Sequence, residues 1–271
     1  MKLRSLAALC VSVLALATVP SVAAAAPAAA AAPAAATPAA AKPKLTWIGH
    51  AAFELVSPAG VRIWIDPWLF ENPAAGPDWK DPAKLAARKP DAILVTHAHI
   101  DHAASVATLS RLTGAKIVAP IEHLRALLIA EAQQTNINVG GELTIGDVTI
   151  IAVPAMHSAE PGGRPLGFIL RLPGGQTLYH TGDTGVFGDM ALIEELYHPT
   201  ILLLACGGGG AGMDPKLAAF ALRKYFRPRL VIPMHFGTFP SLATAADVRA
   251  TFGSDRRVKL LTAGETIELE P

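Results

Sequence analysis

The chain has 271 residues, of which 51% are hydrophobic and 17% charged, with a formal net charge of +1 and two cysteines. That length holds one large domain or two small ones. The near-neutral charge excludes the basic track that a nucleic-acid backbone requires, and two cysteines exclude a disulfide-stapled scaffold.

Lys2 and Arg4 precede an apolar run over 6–19 and small residues follow it. This pattern predicts a secretory signal peptide over residues 1–25, and hence an exported protein, periplasmic or secreted. Residues 26–43 are an Ala/Pro-rich linker with no side chains able to build a core. The folded part is then 44–271. Residues 1–43 hold Lys2, Arg4 and Lys42 and no acid, which leaves 20 basic against 22 acidic residues and a formal charge of −2. Only Cys206 remains there, in a Leu-rich strand end that suits a buried, inert thiol. No membrane span is expected in the mature chain.

Strands are predicted at 44–48 and 52–56, flanking Gly49 and His50, and at 61–65, which ends at Asp66 and Pro67. A strand over 92–96 leads into a helix over 102–112, then a strand over 115–118 and a helix over 121–130. Two hairpins follow, 142–145 with 148–153 around Gly146 and Asp147, and 167–172 with 176–180 around Pro173, Gly174 and Gly175. Helix 190–197, strand 201–204, helix 216–226, strand 230–232 and helix 244–252 come next. Asp214 and Pro215 mark a helix start, a capping carboxylate followed by proline in the first turn. Strands at 258–261 and 266–269 close the chain. About a dozen strands with interleaved helices predict two sheets packed face to face with helices outside.

The run T-H-A-H-I-D-H at 96–102 carries the chemistry. Three imidazoles and a carboxylate so close together point to a metal, since imidazole suits zinc and other borderline ions and carboxylate adds charge. Three further strands end in a donor: 148–154 before His157, 176–180 before Asp183, and 230–233 before His235. The total is five histidines and two aspartates, too many for one tetrahedral ion and suited to two ions that share a carboxylate. His97 and His99 alternate in extended chain and point to one side, so with His157 they form one site. Asp101, His102 and His235 form the second, and Asp183 bridges. An alternative for Asp183 is a turn residue within Thr181-Gly182-Asp183-Thr184-Gly185.

These residues resemble the metallo-β-lactamase superfamily, whose signature is H-x-H-x-D-H. Further segments follow one branch, metal-dependent hydrolases similar to L-ascorbate-6-phosphate lactonases: Trp47 to Phe53, Ile65 to Trp68, Glu71 to Pro73, Met156 to Ser158, Tyr179 to Gly185, Met213 to Pro215 and Ile232 to Pro240. The resemblance covers essentially all of 44–271. It implies an αββα four-layer sandwich of the α/β class, with a dinuclear site at one edge. It maps the first ion to His97, His99 and His157 and the second to Asp101, His102 and His235, with Asp183 between them. It also implies that Asp66 buttresses the histidine loop by accepting an imidazole N–H. The glycine-rich stretch 207–210 departs from the branch pattern.

The expected cofactors are two divalent ions, zinc by ligand type, with manganese or iron as alternatives. Asp101 and His50 are the expected catalytic side chains, His50 to hold substrate or protonate a leaving group; a hydrogen-bonded core histidine is the alternative for His50. The expected reaction is hydrolysis of a small ester, lactone or phosphoester by a hydroxide activated between two metals, on a small-molecule substrate and with no nucleic acid as partner. The alternatives are a phosphodiesterase or nuclease, a β-lactam hydrolase, or a non-catalytic metal-binding protein. His180 is expected to support the site without ligating; His123 and His198 receive no role.

Overall fold

The structure, a computed structural model, describes residues 41–210 and 212–270. The expected signal peptide and the linker up to residue 40 lie outside the described residues. The strands are β1 (Lys44–Gly49), β2 (Ala52–Val56), β3 (Arg62–Ile65), β4 (Ala92–Leu94), β5 (Lys116–Ala119), β6 (Gln134–Asn136), β7 (Glu142–Ile145), β8 (Val148–Pro154), β9 (Leu166–Arg171), β10 (Thr177–His180), β11 (Ile201–Ala205), β12 (Leu230–Met234) and β13 (Thr266–Glu268). The helices are α1 (Pro82–Arg88), α2 (Ile100–Ala103), α3 (Val106–Thr113), α4 (Ile121–Ala126), α5 (Met190–Tyr197), α6 (Pro215–Tyr225) and α7 (Ala245–Phe252). None of the described helices is long and apolar enough to cross a membrane.

Two sheets form, in the orders β13-β1-β2-β3-β4-β5-β6 and β12-β11-β10-β9-β8-β7. Side-chain alternation in the first sheet divides its residues between two cores. Phe53, Leu55, Ile63, Ile65 and Leu94 face the second sheet, in a core shared with Ile150, Phe168, Leu178 and Leu203. Trp64, Ile93 and Ile117, one position out of phase, pack with Leu85 of α1, Leu109 of α3 and Leu124 of α4. Met190 of α5, Leu222 of α6 and Val248 of α7 bury their apolar faces in the larger core. This is the αββα sandwich, and the central parallel strands β4 and β11 are buried on both faces, as parallel sheets must be.

Strand direction explains why chemistry collects at one edge. β3, β4, β5 and β6 run parallel, as do β10, β11 and β12. β1 is related to β3, and β8 to β10, by two antiparallel steps, so they point the same way as their relatives. The carboxyl ends of β1, β3, β4, β8, β10 and β12 therefore emerge together, where open α/β sheets bind ligands. The two edges are stitched by His235 N–H donating to the His50 carbonyl (3.0 Å) and Leu166 N–H donating to the Thr96 carbonyl (2.9 Å).

Besides the short strand β6, which was not expected, four local readings differ from expectation. The helix expected over 102–112 is split after Ala103, because the Ser105 hydroxyl accepts the N–H groups of Leu69 (2.9 Å) and Phe70 (3.3 Å) and pins the chain to the segment after β3. The helix expected over 121–130 stops at Ala126, and Leu128 takes a left-handed φ of 54°. The strand expected over 258–261 is a single bridge from Val258 to Val231. Helix α1 was not expected, although Asp81 caps it through Ala83 N–H and Lys84 N–H and Pro82 follows, the same start signal as at Asp214 and Pro215.

Candidate metal centre

The segment 96–102 leaves β4 at the edge, and Asp66, just past β3, holds it. The Asp66 carboxylate is fully buried and accepts Thr96 N–H (2.7 Å), the Thr96 hydroxyl (2.6 Å) and His102 Nδ1–H (2.8 Å). Because the Thr96 hydroxyl donates to Asp66, it accepts from His97 Nδ1–H at 3.0 Å. Both imidazoles thereby keep their Nδ1–H on these acceptors and turn Nε2 to the common space, the orientation a metal ligand needs. Sequence reasoning passed over Thr96, whose place directly before His97 was the available signal.

Around this loop the structure brings all seven expected donors together. His97 Nε2 lies 3.0 Å from His99 Nδ1, and His157 Nε2 lies 3.3 Å from the same atom. Tetrahedral zinc with bonds of about 2.05 Å sets neighbouring nitrogens roughly 3.3 Å apart, so this spacing suits one ion. A second group comprises His50, Asp101, His102 and His235, with one donor atom of each within 4.8 Å of the others. Asp183 lies between the two groups. One oxygen is 3.4 Å from His102 Nε2, and the other is 2.9 Å from His235 Nε2 and 3.9 Å from His157 Nε2.

The donor set fits divalent cations. His102 Nε2, His235 Nε2 and Asp183 Oδ1 are buried and make no hydrogen bond. Their contacts are with one another, through Asp183, and a cation shared among nitrogen and carboxylate donors crowded into one buried space would satisfy them together. Burial works against ionisation of Asp66, Asp101 and Asp183. The facing imidazoles outweigh it and hold all three below the usual carboxylate range: His102 for Asp66, His235 and His50 for Asp101, His235 and His102 for Asp183. Burial also opposes charge on His235, yet Asp183 and Asp101 raise it to about 9. The pocket favours positive charge wherever it can be placed.

His50 sits in the tight turn between β1 and β2 with φ 58° and is fully buried. Its Nε2–H donates to Asp101 Oδ2 at 3.1 Å, and its Nδ1 accepts the Thr238 hydroxyl at 2.5 Å. Its ring lies against His235, centroids 3.8 Å apart, and burial pushes its pKa down to about 4. Both nitrogens are thus engaged within the protein, and the ring orients Asp101. His180 ties β10 to the same turn, donating from Nε2 to the Ala51 carbonyl (3.0 Å) and accepting Gly182 N–H at Nδ1 (3.1 Å). Cys206 is buried and its thiol is pushed up to about 12, as suits an inert group.

The glycine-rich stretch has a local purpose. A Cβ on Gly207 would run into the His235 carbonyl oxygen, and one on Gly182 into the Leu166 carbonyl oxygen. These close approaches bring the loop after β11 against the loop after β12, and the loop after β10 against the start of β9 and Thr96. Gly207→Ala is expected to displace His235 and to destabilise the chain by about 1–3 kcal/mol. Thermal unfolding together with metal content checks it, and a variant matching the wild type in both would refute this role.

Two face-to-face sheets with a cluster of histidines and aspartates at one edge define a metallohydrolase fold. Residues 44–235 match the family described as the beta-lactamase superfamily domain. The chain is 40% identical over 242 residues to a UPF0173 metal-dependent hydrolase of Anaeromyxobacter dehalogenans, covering 83% of this chain and 86% of that one. It is 37% identical to a UPF0173 metal-dependent hydrolase of Pyrobaculum neutrophilum, covering 83% of this chain and all of that one. Among solved structures, Igni18, a metallo hydrolase of Ignicoccus hospitalis, superposes with a TM-score of 0.75 at 36% identity over 85% of this chain and 99% of its own. The chain belongs to the metallo-β-lactamase superfamily and, within it, to the UPF0173 metal-dependent hydrolases.

Proposed function

We propose that this hydrolase works with two divalent cations, one held by His97, His99 and His157, the other by Asp101, His102 and His235, with Asp183 shared between them. It cleaves the acyl C–O bond of a small ester or lactone, or the P–O bond of a phosphoester. The reading rests on one observation above all: two donor groups, from segments far apart in the chain, meet on either side of the Asp183 carboxylate. Neutral imidazole nitrogens with carboxylates favour zinc. When bound, such ions would lower the pKa of water and polarise the carbonyl or phosphoryl oxygen of the substrate.

The remaining work falls to the protein. Asp66 and Thr96 set the tautomers of His102 and His97, and His50 holds Asp101 in orientation. Such partners typically matter 10–100-fold in metal affinity or activity. The test is metal analysis of the purified protein followed by a panel of lactones, phosphodiesters and β-lactams, before and after chelation. Two ions per chain and chelator-sensitive turnover of an ester or lactone are expected. A protein that binds no divalent metal, or whose turnover survives complete removal of metal, would sink the reading.

A further inference from the structure

Three side chains beside the metal centre take no part in the donor set and face water. Ile100, between His99 and Asp101, is 76% exposed; Met156, just before His157, is 60% exposed; Phe239, in the loop after His235, is 37% exposed. Phe239 stacks on Trp68 with centroids 5.5 Å apart and stands edge-on to His50 at 5.7 Å, which places it at the donor cluster. Met156 is fixed to the Asp183 loop, its N–H donating to the Thr184 hydroxyl (3.0 Å) and its carbonyl accepting Gly185 N–H (2.9 Å). A lone exposed apolar residue needs no explanation, but three from separate loops around one polar cluster mark a binding surface.

Charge around the site points the same way. The edge loops at 66–76, 96–105, 155–165, 181–189, 206–214 and 235–243 contain one cationic residue, Arg164. It lines a separate cavity of about 290 Å³ with Glu122 and Asn138. Beyond the site aspartates, the other charges in these loops are Glu71, Glu160, Asp189 and Asp214. Away from the donor cluster itself, phosphate and carboxylate groups are recognised by arginine or lysine, and these loops offer an anionic substituent no such partner beside the site and four acidic residues around it.

We propose that the site takes an uncharged ester or lactone whose apolar acyl or alkyl chain lies across Ile100, Met156 and Phe239, in preference to phosphorylated or carboxylated substrates. This rests on the hydrolytic reading above. In the reaction the oxygen of water bonds to the acyl carbon, the acyl C–O bond breaks, and a proton passes to the leaving oxygen, giving a carboxylic acid and an alcohol.

The test uses metal-loaded protein and 4-nitrophenyl esters of acetate, butyrate, hexanoate and octanoate, beside a carboxylate-terminated ester and bis(4-nitrophenyl) phosphate. We expect kcat/KM to rise with chain length by up to roughly fourfold per methylene, and the charged esters to react more slowly than neutral ones of equal length. Phe239→Ser and Met156→Ser, checked for folding by circular dichroism, flatten the chain-length series; Arg164→Gln leaves it alone. A flat series in the wild type, or faster turnover of the charged esters that Arg164→Gln removes, would overturn the assignment while leaving a hydrolase. No turnover of any ester by fully loaded protein would defeat the hydrolytic reading and this inference with it.

Discussion

Asp183→Ala is expected to reduce turnover on the order of a thousandfold and to lower bound metal from the proposed two ions per chain to one or none. The reasoning is electrostatic. Two divalent charges in one small pocket repel, and a carboxylate placed between them offsets part of that repulsion. Asp183 is the carboxylate that approaches both histidine groups, at 3.4 Å from His102 Nε2, 2.9 Å from His235 Nε2 and 3.9 Å from His157 Nε2. Removing it takes away a buried negative charge and leaves two imidazole nitrogens against a methyl group, a costly arrangement in a dry interior. Asp183→Asn keeps the shape without the charge and should lose nearly as much. Metal content by mass spectrometry, read beside kcat/KM on the best ester, checks both variants. Two tightly held ions and undiminished activity in Asp183→Ala would show that the shared carboxylate is not what joins the sites.

What could be read from the sequence was whatever follows a short repeating rule. Strands such as β3 and β8 are apolar runs that end at turn residues, and the donors follow strand ends, so both the sheets and their chemical edge could be anticipated. Ser105 shows where such rules stop. Nothing in 102–112 announces that its hydroxyl accepts two N–H groups from the chain after β3. That break is a tertiary event, which overrides helical periodicity. β6 was missed for a related reason: its three residues, Gln134, Thr135 and Asn136, are polar and become a strand only beside β5. His50 is the instructive case at the site. Its residue type and position suggest a group that meets substrate, but the left-handed turn buries it between Asp101, Thr238 and His235. Left-handed backbone at non-glycine residues recurs at Asp66 (φ 44°) and His235 (φ 61°), so three site residues hold strained conformations that residue types do not reveal.

Asp66→Ala should destabilise the fold by about 4 kcal/mol, before any metal is considered. The carboxylate accepts three buried donors, Thr96 N–H, the Thr96 hydroxyl and His102 Nδ1–H. Alanine leaves all three without an acceptor. The Thr96 hydroxyl can turn toward His97 Nδ1 only if that imidazole changes tautomer, which would place a proton on the nitrogen now facing the site. Two fully orphaned donors at about 2 kcal/mol each set the magnitude, and alanine at φ 44° adds strain. For a domain of this size the midpoint of thermal unfolding should fall by roughly 10 °C. Asp66→Asn tolerates the left-handed backbone and keeps one acceptor oxygen, so about half the loss is expected. Measured after chelation, the difference reports the scaffold alone. Measured with excess zinc, it should widen, because a loosened His102 binds metal more weakly. If the chelated Asp66→Ala protein unfolds at the temperature of the chelated wild type, the histidine loop is held by something other than this carboxylate, and the fixed tautomers assigned to His97 and His102 lose their basis.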